Sequence, residues 1–274
     1  RSEKDLLRYL DKNPLVIPDC QSSAVGLLVS DSKGNRLRAV HTETNVPLKF
    51  LCVSGGNTER LLKELKHHLP KFIKDIGKPF VVYWWTGTCD LTVKQGRFID
   101  CNLSRSVITD TVKLYIEASA FVQQFQGCKI KFIGQPIYLV SLYNDICGHM
   151  LPTDFLDSDR ILEQQVDKLN REIEHLNGNL GVTTLKFNAD LRDCRHKGKN
   201  YFFELLYDGL HPDKLLSQKW LRRIQLDIIK ECYQPKLDDI LDIQVDPIEL
   251  SEFEQREDDF ARRQRRNATG KCTD

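Results

Sequence analysis

Around residue 32 an apolar run, Leu27-Leu28-Val29, ends in Ser30-Asp31-Ser32 and gives way to Lys33-Gly34-Asn35-Arg36-Leu37, which is spaced like a helix. Two readings of Ser32 fit this stretch. It is a helix N-cap, a position that favours Ser and Asp, or it is a nucleophile at the end of a strand, which needs a base to take its proton. Far downstream, Asp208-Gly209-Leu210-His211-Pro212 sets a carboxylate three residues before an imidazole, just ahead of a helical segment. Two more polar breaks, Ser54-Gly55-Gly56 and Thr86-Gly87-Thr88-Cys89-Asp90, follow apolar runs in the same way.

The elements that must position these residues alternate. Residues 24–29, 48–53 and 80–85 (FVVYWW) read as buried strands, as do 129–133, 137–140 and 182–187. β-branched and aromatic residues suit such positions. Residues 57–74, 106–126, 157–176 and 213–231 carry apolar residues at helical spacing. Pro70 is expected to kink or split the first, and Asp157 or Ser158 to cap the third. Alternation of this kind predicts an α/β fold with a mostly parallel sheet. Ligands then bind beyond the carboxyl ends of the strands, where the four polar breaks would converge.

The 274 residues are 41% hydrophobic and 29% charged, enough for a sizeable core. The net charge of +1 gives no electrostatic case for nucleic acid or a membrane surface in the core domain. No apolar run approaches the ~20 residues that cross a bilayer. The start, RSEKDLLRYLDKNP, lacks a signal-peptide core and an initial Met, as expected of an intracellular fragment of something longer. Nine scattered cysteines without a C-x-x-C pair point to a reducing cytoplasmic or nuclear compartment. The sequon Asn267-Ala268-Thr269 argues weakly against that. Residues 1–19 read as an N-terminal extension, 20–232 as one domain, and 233–274 as a charged, flexible tail. Its basic run, Arg262-Arg263-Gln264-Arg265-Arg266, is the segment suited to nucleic acid or another partner.

Taken in order, Asp31-Ser32, Gly55 or Gly56, Gly87-x-x-Asp90 and Asp208-x-x-His211 resemble the SGNH (GDSL-type) hydrolase family over about residues 20–232. Small domains of this type also occur in LINE-type retrotransposon proteins and in invertebrate open reading frames, and the charged tail suits such a modular origin. The resemblance implies a flavodoxin-like three-layer α/β/α fold with a five-stranded sheet. It also implies a serine hydrolase of carboxylic esters, acetyl or short acyl, with no metal or organic cofactor. Ser32 would be the nucleophile, His211 its base and Asp208 the group that orients the imidazole. The N–H groups of Ser32 and of Gly55 or Gly56 would form the oxyanion hole, with residue 89 adding a side-chain donor. Here Ser30 stands in place of the family's Gly, and Cys89 in place of its Asn. A thiol donates poorly. The protein is therefore a slow hydrolase, uses another donor such as Asn35 or Asn57, or has become a binding or scaffold module.

Other residues have plainer readings. Asp90 is expected to tie down a loop through side-chain-to-backbone bonds. Trp84-Trp85 suits core and pocket wall, and His67-His68 an exposed helix face. Cys89 has no second base to make it a nucleophile. Cys194-Arg195-His196 supplies two ligand types in a basic loop, weak grounds for a metal site.

Overall fold

The computed structural model describes residues 3–42, 46–193 and 200–233. The basic run 262–266 and Cys194-Arg195-His196 lie outside them. β1 (Val25–Ser30), β2 (Leu48–Cys52), β3 (Phe80–Trp85) and β6 (Lys129–Phe132) form one parallel sheet in the order β2-β1-β3-β6. Every residue of β1 and β3 is buried, as strands covered on both faces require. One face is covered by α2 (Ser32–Ala39) and α9 (Lys214–Cys232), with α1 (Glu3–Lys12) packed on α9. The other carries α3 (Thr58–Ile76), α5 (Val107–Val122) and α7 (Leu156–Asn179). This is the three-layer α/β/α arrangement.

The expected fifth strand is reduced to a single parallel bridge between Gly134 and Lys186. Two asparagines of α7 take over the outer edge of β6. Asn177 accepts from the Phe132 N–H (2.9 Å) and donates to the Phe132 carbonyl (2.7 Å). Asn170 does the same for Gln135, at 2.7 and 2.9 Å. With these backbone groups satisfied, a full strand is not needed there.

Three further expectations change. Ile137, Tyr138 and Val140 are buried, but residues 137–140 are not a strand; Val140 begins α6 (Val140–Ile146). The Leu139 N–H goes instead to the Gly209 carbonyl (3.0 Å). α3 runs through Pro70 without a break. Neither Asp157 nor Ser158 caps α7, which starts at Leu156 behind a 3-10 turn, Pro152–Phe155. The sequence also conceals a hairpin, β4 (Thr92–Gln95) and β5 (Phe98–Cys101), turning at Gly96 and separate from the main sheet. A short helix, α4 (Thr88–Leu91), leads into it.

The contact between β1 and α2 is tight. The Ser30 hydroxyl donates to the Trp85 carbonyl (2.8 Å), holding the ends of β1 and β3 together. A Cβ on Gly34 would lie 2.6 Å from both the Ser30 Cβ and the Cys52 Sγ. Gly34→Ala is expected to lower the unfolding free energy by about 1–3 kcal/mol through overpacking. Urea denaturation measures this, and an unchanged midpoint would mean that α2 can lift off the sheet.

Candidate active site

β1 delivers Asp31 and Ser32 directly from its carboxyl end. Asp31, not Ser32, is the N-cap of α2: its Oδ1 accepts from the Lys33 N–H at 2.9 Å. Ser32 is the first helical residue, so its hydroxyl is not engaged in capping. The capping reading of Ser32 therefore falls. The Ser32 N–H is one of the orphan donors of a helix start, and the α2 dipole places partial positive charge there.

α9 begins beside it. Asp213 caps that helix through the Leu216 N–H (2.7 Å). The loop before it is tied by bonds from the Tyr207 N–H to the His211 carbonyl (2.9 Å) and from the Asp213 N–H to the Leu205 carbonyl (2.8 Å). Gly209 has φ +78, and a Cβ there would lie 3.0–3.1 Å from Leu142 and the Tyr143 nitrogen. No other residue fits this turn easily. The turn folds Asp208 under His211, and Asp208 Oδ1 accepts the N–H groups of Leu210 (3.0 Å) and His211 (2.7 Å).

The side chains then meet in a line. Ser32 Oγ lies 2.7 Å from His211 Nε2, and His211 Nδ1 lies 2.7 Å from Asp208 Oδ2. Burial pushes the Asp208 carboxyl up, but the bonds from the His211 ring and from the His211 and Leu210 N–H groups outweigh it and hold the carboxyl below its ordinary range. An ionised Asp208 only accepts. Nδ1 therefore carries the ring proton, and Nε2 is left to accept from the Ser32 hydroxyl.

Ser32 and His211 border a cavity of 410 Å³ that also takes in Gly55, Asn57, Thr88, Cys89 and Lys94. Of the two glycines only Gly55 lines the cavity. The N–H of the buried Gly56 is donated to the Val53 carbonyl at 2.9 Å. Gly55 lines the cavity at φ +67, and no acceptor for its N–H is found among the described residues. Cys89 also lines the cavity. Burial, with the Asp31 carboxylate nearby, pushes its thiol up to about 12, which keeps it neutral and unsuited to nucleophilic attack. Asn35 is committed elsewhere, donating to Ser54 Oγ at 3.1 Å. Asp90 fills the structural part expected of it, accepting from the Thr58 N–H (3.0 Å) and hydroxyl (2.7 Å).

Several lining residues carried no warning in the sequence. Thr92, Lys94 and Ile99 come from the unforeseen hairpin, where Lys94 and Ile99 are directly opposite. Tyr143 and Leu210 line the cavity as well. Lys33 is the largest surprise: it is 1% exposed. Its ammonium pairs with Asp31 Oδ2 at 2.6 Å, donates to the Thr88 hydroxyl and sits 5.3 Å from the Trp85 ring centroid. Its only sequence signal was a lysine immediately after Asp-Ser, on the helix face turned to the sheet.

The arrangement matches known structures at the level of fold. A GDSL-like lipase from Bacteroides thetaiotaomicron superimposes with a TM-score of 0.54 at 14% identity, over 84% of this chain and 99% of that one. The chain has the SGNH hydrolase fold. Two more distant likenesses are a lipase/acylhydrolase from Enterococcus faecalis and Est24, a carbohydrate acetylesterase from Sinorhizobium meliloti. The first has a TM-score of 0.47 at 15% identity, over 78% of this chain and 98% of that one. The second has 0.46 at 12% identity, over 76% and 99%. No protein-family model and no curated protein matches the sequence. No described helix is long and apolar enough to cross a membrane. Among the described residues no three His, Cys, Asp or Glu side chains gather as a metal site would need.

Within this site the buried Asp31–Lys33 pair is sensitive to mutation. Lys33→Met leaves a buried carboxylate without its counter-ion and is expected to cost about 3–5 kcal/mol. Guanidinium denaturation checks it. A loss under about 1 kcal/mol would mean that Asp31 is rescued by water.

Proposed function

We propose that the chain is a serine hydrolase that cleaves a carboxylic ester, acetyl or short acyl, by a Ser32–His211–Asp208 triad. The observation that supports this is the unbroken relay of two 2.7 Å contacts at the carboxyl end of the sheet. The substrate is a small acylated molecule held in the cavity beside Ser32.

In the forward step His211 Nε2 takes the Ser32 proton as Oγ bonds to the ester carbonyl carbon. The carbonyl π electrons move to oxygen, and that charge faces the Ser32 and Gly55 N–H groups. The C–O bond to the alcohol then breaks, and the alcohol leaves with the proton from His211. Water repeats the sequence on the acyl-enzyme, releasing the acid and restoring Ser32. Asp208 keeps the imidazole in the required tautomer and offsets the imidazolium charge.

Cys89 in the place of a strong donor favours a second reading, a binding module that keeps the fold and little of the rate. A fluorophosphonate probe separates the two. It is expected to label the wild type and to leave Ser32→Ala unlabelled; absence of labelling on a folded wild type would sink the hydrolase reading.

A further test falls on Asp208, whose carboxyl is held below the ordinary carboxylate range. Asp208→Asn should lower kcat by about 10³–10⁴-fold without unfolding the chain.

A further inference from the structure

A side-chain donor would add to the two backbone N–H groups that face the oxyanion, and the residue at position 89 is a neutral thiol. We propose that Asn57 supplies that donor from the same wall of the site, an inference that rests on the hydrolase reading above.

Three observations carry it. Asn57 lines the same cavity as Ser32, Gly55 and Cys89. It also lines, together with Cys89 and Asp90, a second hollow beside the first. Asn57 and Cys89 thus stand in the wall shared by both hollows, next to the position that the missing amide would occupy. Second, the orientation of the Asn57 amide is fixed. Asn57 is the N-cap of α3, and its Oδ1 accepts from the Arg60 N–H at 3.0 Å. That bond turns the oxygen to the helix and leaves both Nδ2 hydrogens with no acceptor among the described residues. Third, Lys33 and Asn35, on the Ser32 side of the site, are engaged elsewhere. The Asn35 amide donates to Ser54, and the Lys33 ammonium is held by Asp31 and Thr88.

The chemistry suits the position. As Ser32 Oγ bonds to the carbonyl carbon, negative charge grows on the carbonyl oxygen between the Ser32 and Gly55 N–H groups. An amide held by a helix cap points at that charge without reorganising, and the α3 N-terminus adds its own partial positive charge. Gly55 and Asn57 are two residues apart, so one turn after β2 presents both a backbone and a side-chain donor. Cys89 needs no donor role in this arrangement.

Two variants keep the cap and alter the donor. Asn57→Ser can still cap α3 but has no amide, and Asn57→Asp can cap but faces the oxyanion with negative charge. With 4-nitrophenyl acetate, Asn57→Ser is expected to lower kcat by about 10²-fold with KM changed by less than about threefold, and Asn57→Asp to lower it further. Thermal midpoints close to wild type would show that the cap survives. Adding Cys89→Asn to Asn57→Ser should restore kcat by about tenfold or more, which a merely structural role for Asn57 would not produce. The inference is overturned if both folded Asn57 variants keep wild-type kcat, or if Cys89→Asn restores nothing. A wild type that neither turns over the ester nor labels at Ser32 overturns the hydrolase reading, and this inference with it. A wild type that labels while Asn57→Ser keeps full kcat overturns this inference alone.

Discussion

The register of β1 governs the rest of the molecule. Ser30 lies opposite Cys52 on one side and Trp85 on the other, so three strands finish at one level. The next residues of each, Asp31-Ser32, Val53 to Gly55 and Thr86 to Thr88, must then occupy neighbouring space. A slip of one residue would turn every side chain of β1 to the opposite layer, and full burial on both faces forbids it. The Ser30 hydroxyl on the Trp85 carbonyl fixes this level at the last rung. Serine in place of glycine is thus a structural tie here, matched by the bare Gly34 that packs above it.

The buried pair of Asp31 and Lys33 extends that tie into the site. Asp31 uses one oxygen to cap α2 and the other to hold the Lys33 ammonium, which in turn reaches Thr88 beyond β3. Such pairs rarely add much net stability, because both charges lose water. What this one does is join two loops that the sheet alone leaves independent. The division of labour also matters for Ser32. Because its neighbour caps the helix, its hydroxyl can face His211.

Much of this was legible in the sequence, and the parts that were not share a cause. β1 and β3 stood out because strands buried on both faces are continuously apolar. The Asp208–His211 turn stood out because a short local motif carries its own geometry. The fifth strand does not form although Val182 to Phe187 has the right composition, because its pairing partner is taken by Asn170 and Asn177 of the helix just before it. Ile137 to Val140 failed for a related reason: apolar residues can be buried under a loop as well as in a sheet. The difference between Gly55 and Gly56 depended on one backbone bond to Val53, and the burial of Lys33 on partners at two separate strand ends. Neither leaves a local signature.

The two asparagines of α7 are matched to the strand by length. Seven residues of helix rise about 10.5 Å, and three residues of strand span about 10 Å. Asn170 can therefore meet Gln135 while Asn177 meets Phe132, as two clasps spaced like the rungs they replace. Gaining or losing one residue between them would swing one clasp by about 100° around the helix and expose bare backbone. An uncovered sheet edge of that kind is a template for pairing with another chain. The spacing of two amides in a helix is thus also what keeps this sheet from growing.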